Sequence, residues 1–198
     1  MVKGCDNMKI ILASGSPRRR ELMKYIVQDF EAVSLDTDET LPDGIDPMKA
    51  SEYLANVKAL AAAIKYPDAV VIGCDTTVIC KGDILGKPHT KEECISCITL
   101  LSNARTHQVV TGCSIMYGDM IESFSEITDV SFRELSDAEI EKYASTDEPY
   151  DKAGGYGIQG LGSELIYNID GDFFNVVGLP VTRLYQELKK FLRNIKEN

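Results

Sequence analysis

Residues 12–20 read Leu-Ala-Ser-Gly-Ser-Pro-Arg-Arg-Arg, so an apolar strand breaks into a turn of small residues and a helix begins on basic side chains. Ser16 is a good N-cap and Pro17 is preorganised for the first helical position, which leaves the unpaired amides of the first turn facing outward. Anions bind at such amides. A helix N-terminus carries about half a positive charge, and Arg18 and Arg19 add guanidinium donors shaped for phosphate oxygens. Three arginines at a helix start oppose that same dipole and ask for a reason beyond helix stability. The competing reading leaves them as solvated surface residues.

Three further clusters could do chemistry. Asp36-Thr37-Asp38-Glu39 follows a strand-like stretch, where acids either hold a metal or cap their own loop. Asp75 emerges from the apolar run 69–74, and a carboxylate there loses hydration unless it is paired or bound to a cation. Gly86-Lys87-Pro88 presents one lysine on a short turn. Residues 82–87 are not a P-loop, because the spacing is one residue short and no Ser or Thr follows the lysine. Acids for a hard divalent cation and bases for phosphates are the two halves of a metal-assisted phosphoryl or nucleotidyl hydrolysis site.

Other chemistries fit less well. The two histidines, His89 and His107, have no nucleophile signature beside them and read as surface or satisfied strand residues. No GxGxxG fingerprint follows a predicted strand. The six cysteines (5, 74, 80, 94, 97 and 113) lie mostly in apolar stretches and read as reduced. Cys94-x-x-Cys97 has His89 nearby but lacks the second pair of a zinc site. A net charge of −10 argues against wrapping nucleic acid, while leaving room for a local basic pocket built from Arg18, Arg19, Lys58 and Lys87. No secretory leader and no apolar stretch of about 20 residues is present, so a soluble, cytoplasmic protein without membrane contact is expected. The chain is read as one domain over residues 8–198, after a flexible lead-in at residues 1–7.

Alternating periods set the elements that must position these groups. A strand over Lys9–Ala13 leads to a helix over 17–28, with Leu22, Ile26 and Val27 on one stripe, and then to a strand over 30–35. Asp46-Pro47 opens an alanine-rich helix to Lys65, which carries Lys58. The run 69–74 predicts a strand buried on both faces, with Asp75 at its C-terminal end. Thr90 with Glu93 is a capping box for a helix over 91–102, and Ser136 with Glu139 is a second box for a helix ending near Ala144. Stretches 107–117 and 121–132 form a hairpin about Gly118-Asp119, which makes the sheet mixed. The glycine-dense segment 151–162 is too rich in turn formers to be regular throughout. Strands near 164–169 and 173–177 and a helix from Pro180 close the chain.

At these clusters the sequence resembles the Maf family of nucleoside triphosphate pyrophosphatases, or septum-formation-inhibitor-like proteins. The resemblance runs from Lys9 to about Leu184 through Leu-Ala-Ser-Gly-Ser-Pro-Arg-Arg (12–19), Asp38-Glu39-Thr40, Gly73-Cys74-Asp75-Thr76 and Leu85-Gly86-Lys87-Pro88. It continues through Asp-Lys-Ala-Gly-Gly-Tyr-Gly-Ile-Gln-Gly (151–160) and Asn-Val-Val-Gly-Leu-Pro (175–180). Such membership implies an α/β fold of the Maf and inosine-triphosphatase type, an elongated mixed β-sheet flanked by helices, with two lobes and a nucleotide cleft between them. It implies cleavage of a nucleoside triphosphate between the α and β phosphates, giving the monophosphate and pyrophosphate. Homodimers are common in the family.

Carried over by motif, the resemblance makes Asp75 the proton acceptor for the attacking water and has Glu39 join it in binding Mg²⁺ or Mn²⁺. Lys87 and Lys58 match lysines that face the triphosphate. Ser14, Ser16 and Arg19 belong with the substrate-binding turn, and Arg18, Thr76 and Gln159 match positions that set substrate choice. The segment 151–160 is similar to the branch selective for dTTP, UTP and some modified pyrimidine nucleotides. A sister branch acting on 7-methyl-GTP has a Glu in place of the Ile-Gln. An amide at Gln159 suits the carbonyl and imino edge of uracil or thymine, since it both donates and accepts. Cys74 and Gly155 stand where alanine is common. A non-catalytic nucleotide-binding regulator of cell division would need the same basic groups but no general base.

Overall fold

The computed structural model describes residues 8–197, so the lead-in expected at residues 1–7 lies outside the described residues, as does Cys5. Strand β1 (Lys9–Ala13) is buried from Ile10 onward and passes directly into the small-residue turn. Helix α1 (Pro17–Met23) begins as expected, with the Ser16 hydroxyl accepting from the Arg19 amide, but it is shorter than the predicted 17–28. The chain tightens at its end through Tyr25 N–H to Leu22 C=O and Ile26 N–H to Met23 C=O bonds, which still bury Ile26 and Val27. Strand β2 (Glu31–Val33) lies parallel to β1.

Helix α2 (Pro47–Lys65) has the predicted bounds, because Asp46 caps the Met48 amide and Pro47 takes the first position. Strand β3 (Ala69–Cys80) runs parallel to β1, with Ala13 opposite Gly73. It continues well past the predicted end, which places Asp75 inside the strand and not at its C-terminus. The β-branched residues Thr76, Thr77, Val78 and Ile79 sustain the extended backbone beyond Asp75. Lys81 and Gly82, both at positive φ, then turn the chain into β4 (Asp83–Leu85), an antiparallel partner that the sequence reading did not anticipate.

Helix α3 (Lys91–Ala104) starts at Thr90, whose hydroxyl accepts from the Glu93 amide. The expected reciprocal half of that capping box lands one residue earlier, where Glu93 accepts from the His89 amide. Strands β5 (Thr106–Tyr117) and β6 (Met120–Phe132) form the predicted hairpin about Gly118-Asp119. Helix α4 (Asp137–Ala144) carries the full Ser136/Glu139 box. The glycine-dense segment folds as three short 3₁₀ turns, Pro149–Asp151, Ala153–Gly155 and Gly160–Leu165, before β7 (Ile166–Asp170) pairs antiparallel with β6. Residues 173–177, expected as a strand, are instead the one-turn helix α5 (Phe173–Val177), held at its start by Asp172 accepting from the Phe174 amide. Five residues, four of them apolar about Asn175, are too few for a period that separates the two conformations, and the Asp172 cap favours the helical one. Helix α6 (Val181–Glu197) completes the described chain.

The sheet has seven strands in the order β2-β1-β3-β5-β6-β7, with β4 on β3, and helices flank it: the mixed α/β class that the sequence predicts. Two compact units divide the contacts. One comprises the chain as far as Asp75, Thr111–Glu126 and the chain from Gly178 onward; the other comprises Thr76–Val110 and Ile127–Val177. In the first, Ile11, Ala13, Val71 and Met116 pack with Ala59 and Ala62 of α2. In the second, Ile98 and Leu101 of α3 pack with Val130, Phe132, Ile140 and Tyr156, each full aliphatic burial contributing about 1.5–3 kcal/mol. No helix among the described residues is long and apolar enough to cross a membrane.

Candidate active site

In the first unit, the turn after β1 is built from its own hydroxyls. The Ser14 side chain, which is buried, accepts from the Ser16 amide at 3.2 Å and from Arg19 Nη1 at 3.4 Å. Arg19 Nε donates to the Gly178 carbonyl at 2.8 Å, so the guanidinium is oriented from two sides. Gly178 lies in the closing 175–180 segment and has φ of 122°, a backbone conformation suited to glycine. Arg18 and Arg19 are half-buried on the first turn of α1, while Arg20 is exposed.

Lys58, Asp75 and Glu39 meet. Lys58 Nζ lies 2.5 Å from Asp75 Oδ1 and 3.0 Å from Glu39 Oε2, so one ammonium joins the strand carboxylate to the loop carboxylate. Two glycines allow this approach. A Cβ on Gly73 would stand 2.2 Å from the Ala55 carbonyl oxygen, and one on Gly112 would stand 2.3 Å from the Glu52 amide nitrogen. Helix α2 therefore rests directly on the backbones of β3 and β5, which brings Lys58 down onto Asp75. The Asp75 side chain is only 13% exposed, and its ion pair offsets the desolvation of a buried carboxylate. Glu39 is half exposed.

Within the 36–39 cluster the acids have separate tasks. Asp38 accepts from the Thr40 amide at 2.9 Å, and the Thr40 hydroxyl and amide hold its carboxyl below the usual range, so it caps its own loop. Glu39 alone among these acids pairs with Lys58. The carboxylates that could hold a cation here are thus two, Glu39 and Asp75, and their hard oxygens would suit Mg²⁺ or Mn²⁺ only with water or other oxygens in the remaining positions. No group of three or more His, Cys, Asp or Glu side chains converges among the described residues.

Cys74, next to Asp75, is buried with its sulfur 3.4 Å from that of Cys113. The hydrogen bond with Cys113 holds the Cys74 thiol below its usual pKa against the opposing effect of burial, and the charges of Arg19 and Lys58 lower it further. Burial pushes the Cys113 thiol up.

The other three predicted residues lie in the second unit. Thr76 follows Asp75 on β3 and is half-buried; Lys87 is exposed in the loop after β4; Gln159 is exposed in the glycine-dense segment. The Gly154 amide donates to the Gly86 carbonyl at 3.0 Å, so the Lys87 turn and that segment hold one another. Gly154 and Gly155 both have positive φ, and a Cβ on Gly154 would press on Val78 at 2.9 Å. His107 differs from the surface alternative. It is buried, bonds to the Tyr156 hydroxyl at 2.6 Å through Nε2, and burial pushes its pKa down to about 4. His89 is exposed.

Sequence reading missed Gly178, whose carbonyl orients Arg19, and Glu148, whose carboxylate gathers backbone amides beyond Gln159. The signal for Glu148 is an acid directly before a stretch whose glycines leave many amides without side-chain cover. Gly178 lies in the 175–180 motif, but nothing in that motif pairs it with Arg19, which is 159 residues away.

A model of Maf-like proteins matches residues 9–191. A dTTP/UTP pyrophosphatase of Bacillus velezensis is 46% identical over 188 residues, covering 95% of this chain and 98% of that protein. A dTTP/UTP pyrophosphatase of Bacillus cereus is 46% identical over 183 residues, covering 92% and 95% respectively. Among solved structures, the Staphylococcus aureus Ham1 protein aligns with a TM-score of 0.57 and 19% identity, over 94% of this chain and 98% of that one. A HAM1 protein from Coxiella burnetii gives 0.53 and 16%, over 94% and 99%; both likenesses are of fold. A match that starts with β1 and runs into α6, supported by relatives identical at almost half of the aligned positions, has one meaning: the chain belongs to the Maf family.

Proposed function

We propose that the chain hydrolyses dTTP and UTP to the monophosphate and pyrophosphate by water attack at the α-phosphate. The observation that carries this reading is Lys58 joining Glu39 and Asp75 on the same unit as the Ser14-Ser16-Arg19 turn. Supporting it is the naming of the Bacillus velezensis and Bacillus cereus relatives as dTTP/UTP pyrophosphatases.

In this reading the Ser14-Ser16 turn, whose Ser14, Ser16 and Arg19 amides are bonded within the chain, presents Arg18 and Arg19 to phosphate oxygens, and the Gly178 carbonyl keeps the Arg19 fork pointed at them. Lys58 has three N–H donors, two of which serve the carboxylates, so one remains for a phosphate oxygen. Lys87 adds a second mobile ammonium for the triphosphate. Asp75 accepts the proton of the attacking water at a carboxylate oxygen, which requires that water within about 3 Å. Glu39 and Asp75 would hold Mg²⁺ or Mn²⁺, which when bound neutralises phosphate charge and polarises the α-phosphorus. The Gln159 amide reads the pyrimidine edge by donating and accepting, with Arg18 and Thr76 assisting substrate choice. The same reading implies a cytoplasmic protein.

Pyrophosphate release from a panel of triphosphates tests it. Turnover of dTTP and UTP is expected to exceed that of 7-methyl-GTP, and EDTA is expected to remove activity that Mg²⁺ or Mn²⁺ restores. Faster cleavage of 7-methyl-GTP assigns the chain to the sister branch, and nucleotide binding without pyrophosphate release makes it a regulator. Homodimerisation is proposed alongside, and light scattering should then return twice the 21.9 kDa chain mass.

A further inference from the structure

Residues 157–162 form a small closed loop in the second unit with Gln159 near its tip. A Cβ on Gly162 would stand 2.2 Å from the Gly157 carbonyl oxygen, so the two ends of the loop touch backbone to backbone. Two side chains pin those ends. The Tyr143 hydroxyl accepts from the Gly157 amide at 3.3 Å, before Gln159. After it, the Glu148 carboxylate accepts from the Leu161 amide at 2.8 Å through Oε2 and from the Gly162 amide at 2.8 Å through Oε1. Tyr143 also donates to Glu148 Oε1 at 3.1 Å, which links the two clamps into one.

The clamp leaves little freedom. Gly160 has φ of 77°, and a Cβ there would stand 2.5 Å from Glu148 Oε2, so the carboxylate sits directly against the residue that follows Gln159. The Glu148 backbone is itself fixed, since Lys152 Nζ donates to its carbonyl at 2.6 Å. Burial raises the Tyr143 pKa well above the ordinary phenol range, so its hydroxyl keeps the proton it donates. Amide bonds to an ionised carboxylate are about twice as strong as neutral ones. An exposed glutamine would otherwise sample several rotamers; here the backbone that carries it has one setting.

We propose that Glu148, working together with Tyr143, is the positioning residue that aims the Gln159 amide and thereby sets base selectivity. The proposal rests on the reading of Gln159 as the group that meets the base. It predicts that loosening the clamp changes which triphosphate is preferred, whereas general damage to the fold lowers turnover of every triphosphate alike.

The test is the ratio of kcat/KM for dTTP to that for GTP in wild type, Gln159→Ala, Glu148→Gln, Glu148→Ala and Tyr143→Phe, with the double variant of Glu148→Gln and Gln159→Ala. Gln159→Ala and Glu148→Gln are each expected to lower the ratio about ten-fold, chiefly through KM for dTTP, as for loss of a charge-assisted hydrogen bond. The double variant should fall no further than Gln159→Ala, since Glu148 acts only through that side chain. Tyr143→Phe should show a smaller fall in the same direction. If Gln159→Ala leaves the ratio unchanged, the base-reading role fails and the positioning role with it. If Gln159→Ala lowers the ratio and Glu148→Gln does not, or if the two effects add in full, the positioning role alone is overturned. Should Glu148→Ala fail to fold, Glu148→Gln and Tyr143→Phe carry the same comparison.

Discussion

Asp75→Asn is expected to lower pyrophosphate release from dTTP by about 10²- to 10⁴-fold, the range for removal of a general base. The variant should still fold. Asparagine keeps a side-chain oxygen that accepts from Lys58, and the ammonium retains Glu39 at 3.0 Å, so no buried charge is left alone. The strand is also indifferent to the change, because its extended backbone is set by the β-branched residues after Asp75. A thermal melt within a few degrees of wild type, together with collapsed turnover, separates lost chemistry from lost structure. Near-wild-type turnover in the folded variant would falsify the assignment of Asp75 as base. Lys58 makes the same point from the other side, because its ammonium compensates a carboxylate only 13% exposed.

What the sequence disclosed was local. The cap-plus-proline starts at Ser16-Pro17 and Asp46-Pro47, the Ser136/Glu139 box and the Gly118-Asp119 hairpin each depend on residues a few positions apart, and each formed where expected. The misreadings came where local signals are silent or doubled. Asp75 looked like a strand end because an acid follows an apolar run, yet β3 continues to Cys80. Phe173–Val177 is mostly apolar and too short for a usable period, and its helical turn is held by the Asp172 cap and by the Asn175 side chain donating to the Val109 carbonyl and to Thr128.

The site itself was legible as parts and not as contacts. Lys58 stood out weakly in an alanine-rich helix, although its pairing with Asp75 is the closest contact of the cluster. That pairing depends on where α2 docks, and docking is set by Gly73 and Gly112, which no periodicity of α2 reveals. The place of Arg19 after Ser16-Pro17 is legible in the sequence, while the carbonyl that orients it comes from Gly178 near the other end of the chain. Side-chain identity is written in the sequence; the approach of distant backbones is not.

Gly73→Ala should therefore damage both stability and turnover. The added Cβ would lie 2.2 Å from the Ala55 carbonyl oxygen and 2.7 Å from the Ala59 amide nitrogen, which are backbone atoms that no rotamer change can move. Either β3 or α2 must shift. Strand β3 is buried along nearly its whole length and paired with β1 on one side, so α2 is the element free to give. Overpacking of this kind costs about 1–3 kcal/mol, which urea denaturation at constant m-value measures. Lys58 sits immediately before Ala59, so lifting the helix also draws the ammonium away from Asp75 and Glu39. A misplacement of about 1 Å in a catalytic array can lower turnover about 10²-fold. Gly112→Ala provides the contrast, because its Cβ would strike Ser51 and Glu52, nearly two turns before Lys58. It should destabilise to a similar degree with a smaller loss of turnover per unit of stability. Equal activity losses in the two variants at matched stability would mean that Gly73 supports only the fold and not the placement of Lys58.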